Sequence, residues 1–342
     1  MDGKVVIALV LSLAASCVPV FPEYISSCEY AEYFDVRDSC VYVISPYDGS
    51  VDTLCLSDPL EHMICMSSSH IACLSEIGAD SLICAVSGLK YISNQRLHER
   101  KCPDIGYEHS LDYETVMSVR PDIVLTYTVS GTEPQYISKL KSLGIPVLVL
   151  YDHLERHPLA RAEYIRLFGA LAGRQVQADS VFAGVRDRYL ELADSVERMA
   201  PEPKAVLMNI PYGDAWYVPG EDSYMAQLVR HAGGRILGAG NGNSSSVISL
   251  EDAYLLSQRA DIWLNPGDCD SRMELSSRHH LFPLFGPLES GLPIYNNTLR
   301  STPGGGNDFW ESGSVRPDLV LEDLINIFTG RGRDMEYFLL LE

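Results

Sequence analysis

The sequence predicts an α/β fold: two doubly wound lobes with parallel sheets, joined by a long rigid helix and preceded by an N-terminal β-hairpin extension. Three observations carry this reading. Short β-rich runs alternate with helical stretches in the first half of the chain, and the alternation resumes near the end. Between the two lies an apolar pattern at helical spacing from Pro158 to Met199, including Leu159, Ile165, Phe168, Leu171, Phe182, Val185 and Tyr189. A length of 342 residues is enough for two medium domains.

Taken in order, residues 1–16 read as a targeting segment. Lys4 precedes an apolar run from Val5 to Leu13, too short to span a bilayer but suited to a signal peptide. Ala14-Ala15-Ser16-Cys17 follows and resembles the bacterial lipobox, which implies lipidation at Cys17. Residues 17–60 form an extension with a hairpin, Val41–Ile44 and Val51–Leu56 around Asp48-Gly49. The N-terminal lobe, 61–157, carries strands at 62–67, 82–86, 122–127 and 146–150, with helices near 69–77, 111–119 and 133–143. The linker helix covers 158–200, interrupted near Gly173 and ended by Pro201 and Pro203. The C-terminal lobe, 201–342, carries strands at 204–210, 261–264 and 293–295, and helices at 222–232, 250–258 and 317–328. The lobes share an echo: Ser110-Leu111-Asp112-Tyr113-Glu114 leads to a strand opened by Asp122, and Ser249-Leu250-Glu251 leads to one opened by Asp261.

Bulk chemistry excludes several classes. A net charge of −20 with no basic run argues against nucleic-acid binding. The charge favours solubility and names no partner. No later stretch offers the apolar length of a membrane helix, so contact with a membrane is expected only through the lipid anchor. None of the nine cysteines forms a C-x-x-C pair. Disulfides among the first seven after Cys17 are open, whereas Cys65 and Cys84 sit inside apolar strands as small hydrophobes. No G-x-S-x-G or H-E-x-x-H motif appears, which disfavours an exported enzyme. Gly304-Gly305-Gly306 lacks the Lys-Ser/Thr of a phosphate loop and reads as a flexible turn.

Ligands of open α/β sheets bind outside the carboxyl ends of the strands. Reading past those ends gives Ser68, Ser69 and His70; Tyr107, Glu108 and His109; Tyr127 and Ser130; Tyr212, Trp216 and Tyr217; Asn265; Arg278, His279 and His280; and Arg300. Aromatics with a few arginines suit a bulky anionic chelate, through stacking and bidentate pairing. Each has a plainer reading: Ser68 or Ser69 as a helix cap, Trp216 as a half-buried strand aromatic, the histidine pair as a solvated turn.

Several stretches resemble the substrate-binding proteins of ABC importers for ferric siderophores, haem and vitamin B12. They are SSSHIACLSEIGADSLICAVSG, DIGYEHSLDYETVMSVRPDIVLTY and LKSLGIPVLVL in the first lobe, then WYVPGEDSYMAQLVRHAGG and GGGNDFWESGSVRPDLVLEDLINIF, the last similar to a Bacteroidetes subgroup. The resemblance spans roughly residues 60–330. It implies a periplasmic, monomeric capture protein without cofactor that hands a small-molecule metal chelate to a permease dimer in the inner membrane. It further implies that one glutamate near the top of each lobe docks the permease. By motif these are Glu114 in LDYETV and Glu251 in ISLEDA, with Asp252 competing because Glu251 stands farther from Asp261 than Glu114 does from Asp122. The expected cargo is an iron chelate, siderophore or haem, contacted by Tyr107, His109, Tyr127, Trp216, Tyr217, Arg278 and Arg300. A corrinoid comes second. A bare zinc or manganese ion comes third, since His70 and His109 are placed for it but further ligands are not evident.

Overall fold

The computed structural model describes residues 27–331 and 334–342, so the leader and Cys17 lie outside the described residues. The extension forms an antiparallel sheet of β1 (Phe34–Arg37), β2 (Cys40–Ile44) and β3 (Val51–Cys55). The expected hairpin is β2–β3. Strand β1 escaped the sequence because its turn is Asp38-Ser39, both at positive φ, a tight-turn geometry usually signalled by Asn or Gly. Cys40 and Cys55 are register partners and form a disulfide.

Seven elements build the N-terminal lobe after β4 (Met63–Cys65): α1 (Ser68–Glu76), β5 (Ile83–Val86), α2 (Gln95–Glu99), α3 (Tyr113–Val119), β6 (Ile123–Tyr127), α4 (Gln135–Ser142) and β7 (Val147–Leu150). Its sheet is parallel throughout, in the order β5-β4-β6-β7. The continuously apolar strands, such as Met63–Cys65, match a sheet buried on both faces.

The linker divides into α5 (Pro158–Leu171) and α6 (Gln175–Met199). The interruption expected near Gly173 is a reversal of direction. Gly173 takes φ +63, and Gly169 lies so close to Ala178 that an added Cβ would stand 2.4 Å from the alanine's. The ring of His157, which caps α5, lies 6.2 Å from Tyr189 in the middle of α6. The two helices are therefore antiparallel, and α6, about 37 Å long at 1.5 Å per residue, is the long helix of the fold. Helix α5 also secures the extension. Buried Glu163 accepts N–H bonds from Glu29, Tyr30 and Ala31 at 2.7–2.8 Å. Buried Glu155 accepts those of Glu32 and Tyr33 at 2.9 and 3.0 Å, and burial pushes its carboxyl up to about 8.

The C-terminal lobe runs through β8 (Lys204–Met208), β9 (Trp216–Val218), α7 (Tyr224–His231), β10 (Gly234–Ile236), β11 (Ser246–Ile248), α8 (Leu250–Ser257) and β12 (Ile262–Leu264). It continues with α9 (Arg272–Arg278), α10 (Gly286–Glu289), β13 (Ile294–Asn296), α11 (Ser312–Val315), α12 (Pro317–Phe328) and β14 (Leu339–Leu340). The main sheet has the order β10-β8-β12-β13-β14, parallel except for β14. Its first four strands repeat the topology of the other lobe. The echo read from the sequence has a shared physical cause: Asp122 accepts the N–H groups of Glu61 and His62 at 2.8 Å, and Asp261 accepts that of Ala205 at 2.7 Å. Each aspartate ties the start of its strand to the start of its neighbour.

The junction between lobes involves more than α6. Val315 of α11 packs into the core of the N-terminal lobe. Buried Glu311 reaches across to accept the N–H groups of Ser93 and Asn94 at 2.7 and 2.9 Å. Gly304-Gly305-Gly306 is no flexible turn. A Cβ on Gly304 or Gly306 would come within 2.0 Å of the Lys90 or Tyr91 carbonyl, so glycine is needed for the lobes to touch. No helix among the described residues is long and apolar enough to cross a membrane.

Candidate functional site

Both lobes direct the carboxyl ends of their strands at one cleft. Three adjoining cavities occupy it. One of about 970 Å³ lies on the N-terminal side, walled by Glu108, His109, Tyr127, Thr128 and Ser130. A second, about 310 Å³, sits at the junction among Ser67, Ser68, Tyr127, His153, Arg161 and Trp310. The third, about 610 Å³, belongs to the C-terminal side and is walled by Asn209, Asn265, Asp268, Asn297, Thr298 and Trp310. Tyr127 is common to the first two and Trp310 to the last two, so two exposed aromatic rings stand where the cavities meet.

The floor is built from the loop after β7. Asp152 is buried and accepts the Ser69 hydroxyl at 2.6 Å and pairs with His70 Nε2 at 3.3 Å. Burial alone would raise its carboxyl. The hydrogen bonds and charge of His70, with Ser69, outweigh that and hold it well below the usual carboxylate range. His70, expected to face ligand, therefore lies beneath the cleft as its support, while Ser69 both holds Asp152 and lines the junction cavity. His153 stands edge-on to Tyr127, ring centroids 5.5 Å apart, and neither of its ring nitrogens completes a hydrogen bond. Burial lowers its pKa, outweighing the neighbouring Asp152 charge that would raise it. Arg161 walls the junction cavity, its guanidinium stacked over Tyr224 at 4.1 Å and donating to the His153 carbonyl at 2.8 Å.

On the C-terminal side, Asn209 and Asn265 follow β8 and β12 directly, both in the left-handed conformation that asparagine tolerates. Asn265 Oδ1 and Thr298 Oγ1 are buried without a hydrogen-bond partner. An unpaired buried acceptor or hydroxyl costs about 1–3 kcal/mol, which a bound polar group would recover. No Lys, Arg or His is among the described residues walling this cavity, and Asp268 and Asp270 are.

The expected contact residues divide. Tyr127, His109 and Asn265 are brought to the cleft, His109 as an exposed ring paired with Glu108 at 3.1 Å. Tyr107 stands outside these cavities, 6.2 Å from the ring of Tyr91 beside the lobe contact. Tyr217 is half-exposed on β9, opposite Val247 and away from the cavity walls. Trp216 is corrected outright. It is buried, stacked on Trp263 and Phe285, and its Nε1 donates to the Met208 carbonyl at 2.9 Å. Arg278 is bound to Asp268 and Glu274 at 2.8 Å each, and Arg300 to Asp308 at 2.9 Å and to Glu336. Neither arginine offers a free guanidinium to the cleft.

His153, Trp310 and Thr298 were missed. The rule of reading past strand ends, applied to the strands at 146–150 and 293–295, reaches His153 and Thr298. Trp310 has no such signal, because it arrives on the segment that crosses to the other lobe. No group of three or more His, Cys, Asp or Glu among the described residues is arranged to hold a bare ion.

Glu114 and Glu251 occupy matching places. Each is the second residue of its helix, α3 capped by Asp112 and α8 by Ser249. Both are exposed and make no ion pair with any described residue. Asp252, the competitor, exchanges hydrogen bonds with Ser249: its N–H donates to Ser249 Oγ at 3.0 Å and its carboxylate accepts that hydroxyl at 2.7 Å. This reciprocal cap occupies Asp252 and leaves Glu251 available.

Comparison with known proteins agrees with this geometry. The chain is 26% identical over 298 residues to an uncharacterized lipoprotein of Methanocaldococcus jannaschii, covering 82% of this chain and 69% of that one. It is 24% identical over 262 residues to a cobalamin-binding protein of Halobacterium salinarum, covering 75% of this chain and 66% of that protein. In structure it is similar to a periplasmic haem-binding protein from Pseudomonas aeruginosa, with a TM-score of 0.61 at 18% identity, covering 83% of this chain and 98% of the other. The model of the periplasmic binding protein family matches residues 63–272, from the first strand of the N-terminal lobe through the start of α9, and the chain belongs to that family of binding proteins rather than to an enzyme class.

Proposed function

We propose that the chain captures a corrinoid of the cobalamin type and delivers it to the permease dimer of an ABC importer. One observation carries the choice of cargo. The C-terminal half of the cleft offers amide and hydroxyl groups, two of them unpartnered, and no basic side chain. Carboxylate-rich iron chelates and haem need cationic partners, and Arg278 and Arg300, on which the expectation of an iron chelate rested, are spent on internal ion pairs. A corrinoid edged mainly by amides exchanges hydrogen bonds with Asn265 and Thr298, while Tyr127 and Trp310 supply flat apolar area. Similarity to a cobalamin-binding protein points the same way.

Trp310 is the one exposed tryptophan of the three in the chain, since Trp216 and Trp263 are buried. Titration with cyanocobalamin, haem, ferric citrate and ferric hydroxamates, followed by tryptophan fluorescence and calorimetry, should show cyanocobalamin binding tightest. Trp310→Ala should weaken it about tenfold, the loss of roughly one stacked aromatic. Arg300→Ala should leave it unchanged. Tight binding of ferric citrate or haem that Arg300→Ala weakens would restore the iron-chelate reading, and response to zinc alone would exclude any chelate.

We further propose Cys17, which follows Ala14-Ala15-Ser16, as a lipid attachment that holds the protein at the membrane. Cys17→Ser should move the protein from the membrane fraction to the soluble periplasm. A wild-type protein already soluble there would refute the anchor.

A further inference from the structure

The N-terminal hairpin lies outside the matched family region, yet its tip reaches the cleft. The turn at residues 45–50 is closed by the Ser45 N–H donating to the Ser50 carbonyl at 2.8 Å. From it Tyr47 touches both loops that wall the N-terminal half of the site. Its hydroxyl donates to the Thr128 carbonyl at 3.4 Å, and a Cβ placed on Gly131 would lie 3.1 Å from the Tyr47 Cβ. Its ring meets Tyr151 edge-on, 6.1 Å between centroids. Thr128 and Ser130 wall the larger cavity, and Tyr151 leads directly into Asp152 and His153 at the floor.

The loop after β6 has little else to fix it. Its own hydrogen bonds are local: Thr128 Oγ1 to the Ser130 carbonyl at 2.9 Å, and Ser130 Oγ to the Thr132 carbonyl at 3.3 Å. Val129 is 79% exposed at the loop tip, and the buried Thr128 beside it bonds only within the loop through its hydroxyl. Strand β3 is likewise an edge strand exposed along most of its length, attached by its ladder to β2 and by Cys40–Cys55.

We propose that the disulfide-closed hairpin is a brace for these two cleft loops, with Tyr47 as the positioning residue that sets their conformation for cargo. The disulfide keeps β3 in register, the register fixes the turn, and the turn presents Tyr47. The link to cargo rests on the corrinoid reading above; the mechanical link does not.

The test separates the two. Hydrogen exchange in the cargo-free protein reads the backbone of residues 128–133 and 151–154 directly. Tyr47→Ala should speed exchange there about fivefold or more, while β8 and β12 stay unchanged, as expected of a local opening. The Cys40→Ser/Cys55→Ser double variant should show the same pattern more weakly. Tyr47→Phe, which keeps the ring, should behave as wild type. Cyanocobalamin affinity should fall in parallel, about tenfold for Tyr47→Ala. Unchanged exchange at 128–133 in Tyr47→Ala overturns the brace. Faster exchange with unaltered cyanocobalamin affinity overturns its positioning role. If wild-type protein binds no cyanocobalamin, the corrinoid reading falls, and exchange still decides the brace.

Discussion

Replacing Glu114 and Glu251 together by arginine is expected to abolish uptake while leaving cargo affinity within a few-fold of wild type. The two carboxylates sit at the second position of topologically matching helices, exposed and without ion pairs among the described residues. That arrangement presents one negative charge per lobe to a partner with basic groups at a matching spacing, and reversing both turns attraction into repulsion. The plainer role of such a residue, favouring the helix dipole, amounts to about 0.3–1 kcal/mol each. A loss of that size slightly lowers stability and cannot stop transport. Uptake by cells expressing each single and the double variant, beside calorimetry on the purified proteins, separates the possibilities. A large loss of cargo affinity would place the residue in the cleft, and undiminished uptake would end the docking assignment. Asp252→Asn serves as the internal comparison, because its carboxylate is committed to Ser249.

Glu311→Ala should loosen the lobes and destabilise the protein by about 2–5 kcal/mol, because it strips two part-buried N–H groups of their acceptor. Denaturant unfolding measures the loss, and small-angle scattering measures the lobes. Wild type should keep nearly the same radius of gyration with and without cargo. Segment 304–316 and α6 both cross the junction, and together they resist the hinge rotation that a few flexible strands would allow. The variant should gain a cargo-dependent change. Clear compaction of the wild type on binding would contradict the fixed junction. The pH dependence has a definite sign. Burial, joined by the nearby Asp308 charge and only partly offset by the two N–H bonds, pushes Glu311 up to about 7. Between the ordinary carboxylate range and about pH 7 the folded protein therefore retains a proton that the unfolded chain has lost. Its contribution to stability falls as pH rises through that window. Glu311→Gln should flatten the fall, and Glu155, raised to about 8 by burial, should add a similar slope up to slightly higher pH.

The elements that sequence reveals well are those whose pattern is set by local chemistry and burial on two faces. The strands at 122–127 and 204–210 and the helices at 250–258 and 317–328 were legible from apolar runs, caps and prolines, and they match β6, β8, α8 and α12 closely. Short pieces escaped for an equally local reason. β9, β10, β11 and β14 have two or three residues each, too few to show a period. Trp216 reads as a strand aromatic near a cleft, and nothing in its neighbours announces that Trp263 and Phe285 will stack on it.

By itself the sequence determined the two-lobed α/β class, the helical span between the lobes and a short echo from one lobe to the other, while resemblance to a family singled out the two glutamates. Periodicity, capping residues and the strand-opening aspartates are properties of neighbouring residues, so they can be read along the chain. Tertiary structure alone decided which side chains meet in the cleft. Arg278 and Arg300 are drawn off by Asp268, Glu274, Asp308 and Glu336, a competition among charges from separate elements. Trp310 enters the cleft because Glu311 and Val315 pin its segment to the opposite lobe, and Tyr47 reaches the same cleft from the hairpin. Each of these placements depends on contacts between residues far apart in the chain. Their energies are comparable with those of the local signals, but their partners are chosen only when the lobes pack.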